Sequence, residues 1–299
     1  MTEAVNLIEF QQHFKDEQAC ADYLASARWN EKPVCPHCEH EGVYHIKTRN
    51  IYKCKKCRKQ FSVRTGTIFE ESRLPLQKWF LAIYLLTSMK KGIPSTQMAK
   101  YLGITQKSAW FMLQRIRYAA GCKSFNAPLK NIVEVDETYM GGKKKRGKRG
   151  RGAAGKTAVA GQIERKGEVR CTAIPNVKSA TLVPLIRDNV QIGATIMSDE
   201  FYSYNRLTKN GYTHKKVHHA RREYVCGDVH TNTIEGFWSH MKRGVTGVYL
   251  QVSKKHLQKY CDEYAYRYNS KSMTDFERFS DWFGRCTGKL TYLSLISTQ

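Results

Sequence analysis

The sequence predicts a multidomain fold in which a small cysteine-rich module and an all-α segment precede an α/β domain with a mixed sheet. Three observations support this prediction. Four cysteines in two close pairs lie between residues 35 and 57, helical periodicity runs through residues 74–120, and alternating strand patterns begin near Ile132. We therefore divide the chain into an N-terminal helical segment (1–31), a cysteine-rich module (32–70), a helical domain (71–125) and an α/β domain (126–299).

The charge balance points to a polyanionic partner. The 299 residues include 50 Lys and Arg against 26 Asp and Glu, a net charge of +24, and 41% are hydrophobic, which is enough for a core. Such a positive excess is typical of proteins that bind nucleic acid, although a basic soluble enzyme is an alternative. The sequence has no apolar run of about 18 residues that would span a membrane. The acidic first 31 residues do not resemble a secretory signal, so we expect a cytoplasmic protein.

The cysteine-rich module has the spacing of a zinc ribbon. Cys35, Cys38, Cys54 and Cys57 form the pattern C-x2-C-x15-C-x2-C, in which each close pair turns two thiolates toward one point. Short strands are predicted at 43–46 and 50–53, between the pairs. One structural Zn²⁺ ion would supply stability that so small a module lacks. Two disulfides are the alternative, and they suit a cytosolic chain poorly.

The helical domain predicts a helix-turn-helix. A short helix from Ser95 to Leu102, a turn at Gly103 and a longer helix from Thr105 to Tyr118 have the spacing of this DNA-binding motif. Several polar residues of the longer helix lie off its apolar stripe and could reach DNA. They are Gln106, Lys107, Ser108, Gln114 and Arg115. A three-helix bundle without DNA contacts is the alternative.

The order of elements after residue 126 is that of an α/β ribonuclease-H-like domain. Strands are predicted at 131–139, 157–163 and 168–174, a helix at 180–190, further strands at 194–199 and 214–218, and a helix from about Thr233. Two C-terminal helices, at 253–269 and 274–286, are expected to complete this domain.

Three acidic residues of this domain are candidate metal ligands. Asp136 and Asp199 lie on strands that the predicted order makes neighbours, and Glu235 would face them from the following helix. Three convergent carboxylates can bind two divalent cations about 3.5–4 Å apart. Mg²⁺ or Mn²⁺ suits oxygen ligands and phosphate substrates.

A strongly basic segment joins the first two strands of the α/β domain. Eight of the 14 residues from Lys143 to Lys156 are Lys or Arg, and four are Gly. A clamp on the DNA backbone beside the acidic site is one interpretation, and a solvated hairpin tip is the other. The clamp residues would be Lys143, Lys144, Lys145, Arg146, Lys148, Arg149 and Arg151.

Taken together, these motifs resemble bacterial insertion-sequence DDE transposases of the ISXO type, relatives of the Merlin elements, with an N-terminal zinc ribbon. The resemblance spans nearly the whole chain, and its specific part is the second half. It is carried by Arg28-Trp29 before the first cysteine pair, VDETY at 135–139 with GGK at 141–143, Ser198-Asp199, HTNTIEGFWS at 230–239 with Lys242-Arg243, Lys255-His256-Leu257, and YCDEYAYRYN at 260–269.

The resemblance implies an enzyme that binds the terminal inverted repeats of its element, hydrolyses a phosphodiester at each end and joins the freed 3′-hydroxyl to target DNA. Asp136 and Asp199 correspond to the first two acids. Glu235 or Asn232 is the third, and we favour Glu235 because a carboxylate suits a hard cation. Lys242 would contact phosphate, and Arg243 would contact DNA.

The resemblance also implies a homodimer or larger assembly on paired DNA ends, at the bacterial nucleoid. Two other functions remain open at this point. One is a DNA-binding regulator, such as a domesticated transposase that no longer cuts DNA. The other is a structure-specific nuclease on the same fold.

Overall fold

A computed structural model describes residues 6–30, 32–122, 127–141, 155–217 and 230–297. The chain divides into two compact units, one made of Met1–Ala120 with Met273–Gln299 and the other of Gly121–Ser272. Within the described ranges, no helix combines the length and the apolar character that crossing a membrane requires.

The first unit begins with two helices, the zinc ribbon and three further helices. The elements are α1 (Leu7–His13), α2 (Glu17–Trp29), β1 (Val43–Ile46), β2 (Ile51–Cys54), β3 (Gln60–Phe61), α3 (Leu76–Ser88), α4 (Ser95–Leu102) and α5 (Gln106–Ala120). The three strands form an antiparallel sheet in the order β1-β2-β3. The predicted ribbon and the predicted helix-turn-helix spacing are both present, with Gly103 in the left-handed conformation that the turn needs (φ 58°).

The second unit is an α/β domain. Its elements are β4 (Ile132–Met140), β5 (Thr157–Glu164), β6 (Val169–Ile174), α6 (Ser179–Asn189), β7 (Thr195–Asp199), β8 (Thr213–Val217), α7 (Asn232–Gly244) and α8 (Leu257–Asn269). The sheet order is β6-β5-β4-β7-β8. The first three strands pair antiparallel, whereas β4–β7 and β7–β8 are parallel. This mixed topology confirms the predicted ribonuclease-H-like fold.

Strand alternation separates the two faces of this sheet. On one face, Val133 and Val135 pack in a core between the sheet and α6, to which α6 contributes Leu182 and Ile186. The opposite face packs against α7 and α8 through a second core, in which Trp238 is one of the buried residues. Side chains at 134 and 136 therefore lie on the α7 side of the sheet, because successive residues of a strand alternate between its faces.

The last two helices of the chain belong to the first unit, whereas α8 belongs to the second. Helix α9 (Asp275–Arg285) begins with a capping box of Thr274 and Glu277, and α10 (Tyr292–Ser297) follows it. The α9 residue Phe279 packs edge-on against Phe10 and Phe80 of the first unit. The expectation that the helix at 274–286 completes the α/β domain is therefore wrong, because its apolar face matches the aromatic core of α1 and α3.

Candidate metal centres and active site

The four ribbon cysteines converge on one point. Their sulfur atoms all lie within 4.8 Å of one another, with 3.7 Å between Cys35 and Cys57 and 3.6 Å between Cys38 and Cys54. These separations are far longer than the roughly 2.05 Å of a disulfide bond. Four thiolates at this spacing suit a tetrahedral zinc site and would hold one Zn²⁺.

The two cysteine pairs are built alike. The backbone N–H of Glu39 donates to the Cys35 carbonyl, and that of Arg58 donates to the Cys54 carbonyl. Both donors have left-handed backbone conformations, with φ values of 57° and 61°. Burial raises the pKa of the Cys54 thiol, but backbone N–H groups such as that of Cys57 donate to its sulfur and lower the pKa to about 6. Such hydrogen bonds favour the thiolate that binds metal.

The predicted DNA-contact residues of the helix-turn-helix fall into two groups. Gln106 and Lys107 are exposed at the start of α5, and Ser108 is half-buried there. The Gln106 amide donates to the Ser95 hydroxyl at 2.8 Å. Lys107 lies over the Tyr292 ring at 5.2 Å. These three residues remain predicted DNA contacts.

Gln114 and Arg115 form the second group, and the prediction that they reach DNA is wrong. Gln114 is 0% exposed and Arg115 is 4% exposed. The Arg115 guanidinium donates to the carbonyl oxygens of Leu290 and Glu70, at 2.9 Å each. The middle of α5 is buried on every side, so these polar residues serve the interior of the first unit.

The basic segment and one helix residue complete the predicted DNA contacts. The clamp residues between 143 and 151 lie outside the described residues. Arg243 is exposed on α7, where its Nε donates to the Ser239 carbonyl at 3.2 Å.

Asp136 and Asp199 lie on neighbouring parallel strands. β4 pairs with β7 from Ile132 opposite Thr195 to Glu134 opposite Met197, and the same offset, continued two residues past the last pair, aligns position 136 with position 199. Burial raises the pKa of Asp136, and the nearby charges of Glu137 and Asp199 raise it further, to about 7. A divalent cation would relieve this repulsion, and carboxylate oxygens are the donors that Mg²⁺ and Mn²⁺ prefer. The pair therefore fits the predicted metal site.

Helix α7 presents the other predicted residues of this site. Asn232, Glu235 and Lys242 are all exposed on it, and Glu235 accepts a hydrogen bond from the Thr231 hydroxyl at 3.0 Å. Within the described ranges, only the ribbon cysteines bring three candidate ligand atoms within 4.8 Å of one another. The carboxylates of Asp136, Asp199 and Glu235 therefore do not all lie within 4.8 Å of one another, as the ribbon sulfurs do.

Trp238 connects α7 directly to the first acid. Its indole Nε1 donates to Oδ2 of Asp136 at 3.0 Å, while its ring packs in the core. Helical periodicity alone would assign Trp238 to the core and would not reveal this hydrogen bond. A signal for this contact was the glycine in the middle of β5, because Gly161 lies opposite Asp136 in the register and leaves room for the ring.

The other two acids of β4 have structural contacts. Glu137 points to the opposite face, as strand alternation predicts, and accepts a hydrogen bond from the buried Tyr204 hydroxyl at 2.6 Å. Glu134 shares the face of Asp136 and is fully buried beneath the first turn of α7. Sequence reasoning missed Glu134, because an acid in an alternating strand pattern is usually taken as solvent-facing.

Gly161→Ala is expected to destabilise the second unit. An added Cβ would lie 2.4 Å from Cζ2 of Trp238 and 3.0 Å from Cδ1 of Ile234. β5 is paired on both sides, so the strand cannot retreat and the indole ring must move. Overpacking of this kind costs about 1–3 kcal/mol. Urea unfolding, compared with the native protein, measures the loss.

A double-mutant cycle separates this clash from other effects of the alanine. Phenylalanine lacks the outer ring atoms of tryptophan, so Gly161→Ala should cost less in a Trp238→Phe background than in the native protein. An equal cost in both backgrounds would show that the clash with Trp238 is not the cause.

Family profiles and sequence relatives agree with this architecture. Residues 15–60 match the profile of the transposase zinc-ribbon domain, and residues 128–269 match that of the ISXO2-like transposase domain. The "uncharacterized protein in transposable element ISH50" of Halobacterium salinarum is 31% identical over 269 residues, which cover 83% of this chain and 89% of that protein. An "uncharacterized transposase-like protein" of Haemophilus influenzae is 31% identical over 108 residues, 36% of this chain and 86% of that protein. The crystal structure of the Mos1 strand transfer complex aligns with a TM-score of 0.30 and 12% identity, over 73% of this chain and 77% of that one.

Proposed function

The chain belongs to the family of ISXO2-like transposases, and from this premise we propose that it catalyses metal-dependent DNA cleavage and strand transfer at the ends of an insertion element. The substrate would be the terminal inverted repeats, and the product a new joint between the element's 3′-end and target DNA. The observation that carries the proposal is that Asp136 and Asp199 lie on neighbouring parallel strands, close enough that, besides burial, the charge of Asp199 raises the pKa of Asp136.

Different residues of the chain would bind the metal ions and contact the DNA. Asp136 and Asp199 would hold the cations, with Glu235 as the third ligand and Asn232 as its alternative. Lys242 and Arg243 lie further along the same helix and would contact the phosphate backbone. Divalent ions held there would supply activation of water or a 3′-hydroxyl and neutralisation of charge on the leaving oxygen.

DNA binding would be shared between the two units. The exposed start of α5 supports contacts by Gln106, Lys107 and Ser108, and the net charge of +24 supports backbone contacts by the basic segment at 143–151. We propose that the protein acts at the nucleoid as a homodimer or larger assembly, because two element ends must be cut and joined together.

The proposal is tested by nicking and joining of labelled DNA that carries the element's own ends, in Mg²⁺ or Mn²⁺. Removing the charge of one metal ligand removes several kcal/mol of transition-state stabilisation, about a thousandfold in rate. Asp136→Asn and Asp199→Asn should lose nicking on this scale and keep end binding. Asp188→Asn is the matched control, because Asp188 is an exposed acid on α6. Tight end binding by a native protein that does not cut would instead identify a regulator.

A further inference from the structure

Glu134 is an acid with no access to solvent. Its side chain is 0% exposed, although it lies only two residues before Asp136 and on the same face of β4. Burying a carboxylate is costly unless its charge is paired and hydrogen-bonded. The contacts of Glu134 therefore indicate what the acid does.

Both carboxylate oxygens of Glu134 are fully used. Oε1 accepts from Nε of Arg165 at 2.7 Å and from the Thr233 hydroxyl at 2.9 Å, and Nδ1 of His230 lies 3.3 Å away. Oε2 accepts from the backbone N–H groups of Thr233 at 2.9 Å and Ile234 at 3.0 Å. A carboxylate oxygen has two lone-pair sites, so neither oxygen can also bind a cation. Glu134 is thus excluded as a metal ligand in this arrangement.

Most of these contacts hold the start of α7. Thr233 and Ile234 lie in its first turn, where backbone N–H groups have no partner within the helix and favour a negative charge. Arg165 adds a second connection, because its guanidinium also donates to the His230 carbonyl at 2.9 Å. The backbone N–H of Arg165 donates to the Ile132 carbonyl of β4 at 3.0 Å. The strand and the helix are therefore joined both by Glu134 and through Arg165.

A second hydrogen bond between β4 and α7 lies about one turn further along the helix. Trp238 donates to Asp136, so the pairs 134–233 and 136–238 connect β4 and α7 at two points. Two strand residues span about 6.8 Å and five helix residues rise about 7.5 Å, so the spacings match. Between these points, α7 carries Glu235.

From this geometry we infer that Glu134 is a positioning residue of the active site. Its buried carboxylate fixes the first turn of α7 against β4, and thereby sets the distance from Glu235 and Asn232 to the Asp136–Asp199 pair. The inference rests on the proposed function, because it assumes that this pair and α7 share the divalent metals. Residues behind metal ligands typically change metal affinity by about 10- to 100-fold.

The test measures metal binding directly and needs no DNA cleavage. The full-length protein is titrated with Mn²⁺, and free Mn²⁺ is followed by electron paramagnetic resonance. Glu134→Gln should weaken Mn²⁺ binding about tenfold or more, because an amide places a donor against the N–H groups that Glu134 now accepts from. Thr233→Val removes only the hydroxyl that donates to Glu134, and should weaken Mn²⁺ binding about threefold. If Glu134→Gln does not fold, this variant tests the positioning role.

Glu263 provides the matched control. It is a buried carboxylate of the same unit, on α8, that accepts from the Tyr249 hydroxyl at 2.8 Å and pairs with Arg267 at 2.7 Å. Glu263→Gln should lower thermal stability but leave Mn²⁺ affinity within about twofold, which separates positioning from general destabilisation.

The outcomes distinguish the inference from the function on which it rests. Folded Glu134→Gln and Thr233→Val proteins with native Mn²⁺ affinity would overturn the positioning role, provided that Asp136→Asn loses binding. Native affinity in Asp136→Asn would instead overturn the proposed metal site, and the inference with it. Weakened binding in Glu134→Gln and Asp136→Asn, but not in Glu263→Gln, is the expected result.

Discussion

Glu235→Gln is expected to reduce metal-dependent nicking at the element's ends about a thousandfold while end binding stays at the native level. Glutamine keeps the size of the side chain, and its carbonyl oxygen can still accept the hydrogen bond from Thr231. The substitution removes only the charge that a divalent cation requires, at a cost of several kcal/mol in the transition state. Because Glu235 is exposed, the free energy of unfolding should change by no more than about 0.5 kcal/mol.

Two companion variants make this result specific. Asn232→Ala tests the alternative third ligand, since Asn232 is the first residue of α7 and is also exposed. Lys242→Ala should weaken transition-state binding less than Glu235→Gln, because a phosphate contact on the surface is partly screened by solvent. Single-turnover nicking rates and DNA-binding anisotropy measure the two effects separately. Full activity in Glu235→Gln together with loss in Asn232→Ala would transfer the role of third ligand to Asn232.

The acidic pair was predictable because local patterns fix both of its members. Asp136 and Asp199 lie in or at the end of strands whose alternating apolar residues also determine which face the acids occupy. The element order then gives the strand order of the sheet. The ribbon cysteines were equally predictable, because their spacing alone brings four sulfurs together.

Residues whose roles depend on distant partners were not predictable. Arg115 lies off the apolar stripe of α5, yet it is buried because Glu70 and Leu290 supply acceptors from far along the chain. Glu134 is similar, because its partners Arg165 and Thr233 are 31 and 99 residues away. Helical and strand periodicity identify which face of an element is apolar. They do not indicate which distant residues cover its polar face.

Helix α9 illustrates the same limit at the level of domains. Its capping box and its one-sided apolar pattern are local features, and the helix itself was predicted at 274–286. The helix packs on aromatic residues that come before the α/β domain in the chain, such as Phe80 against Phe283 at 4.7 Å between ring centroids. The predicted α/β domain ran without a break to residue 299. That prediction was wrong after residue 272, where the chain returns to the first unit.

Cys54→Ser is expected to lower the zinc content from about one equivalent per chain to a small fraction of that, and to unfold the ribbon. Serine does not supply the thiolate that this position favours, so a site of four sulfurs would keep three. Apart from the metal, the ribbon has little to stabilise it. In the core cluster around the described zinc site, Tyr52 and Phe61 are the only fully buried side chains other than cysteines. Structural zinc binding supplies about 10–16 kcal/mol of folding free energy in comparable small modules. Metal analysis by mass spectrometry and limited proteolysis measure the two losses.

Cys122→Ser controls for the loss of a thiol as such. Cys122 is a half-buried cysteine of the second unit, outside the cluster of four, so its replacement should leave both the zinc content and the proteolytic pattern unchanged. The expected cleavage in Cys54→Ser is confined to residues 32–61, since α3 and α9 bury their aromatic residues against each other without any contribution from the metal. A Cys54→Ser protein that retained a full equivalent of zinc through dialysis against a chelator would show that the four sulfurs do not act as one site. Cleavage that spread into α3 would show that the ribbon supports the fold of the whole first unit.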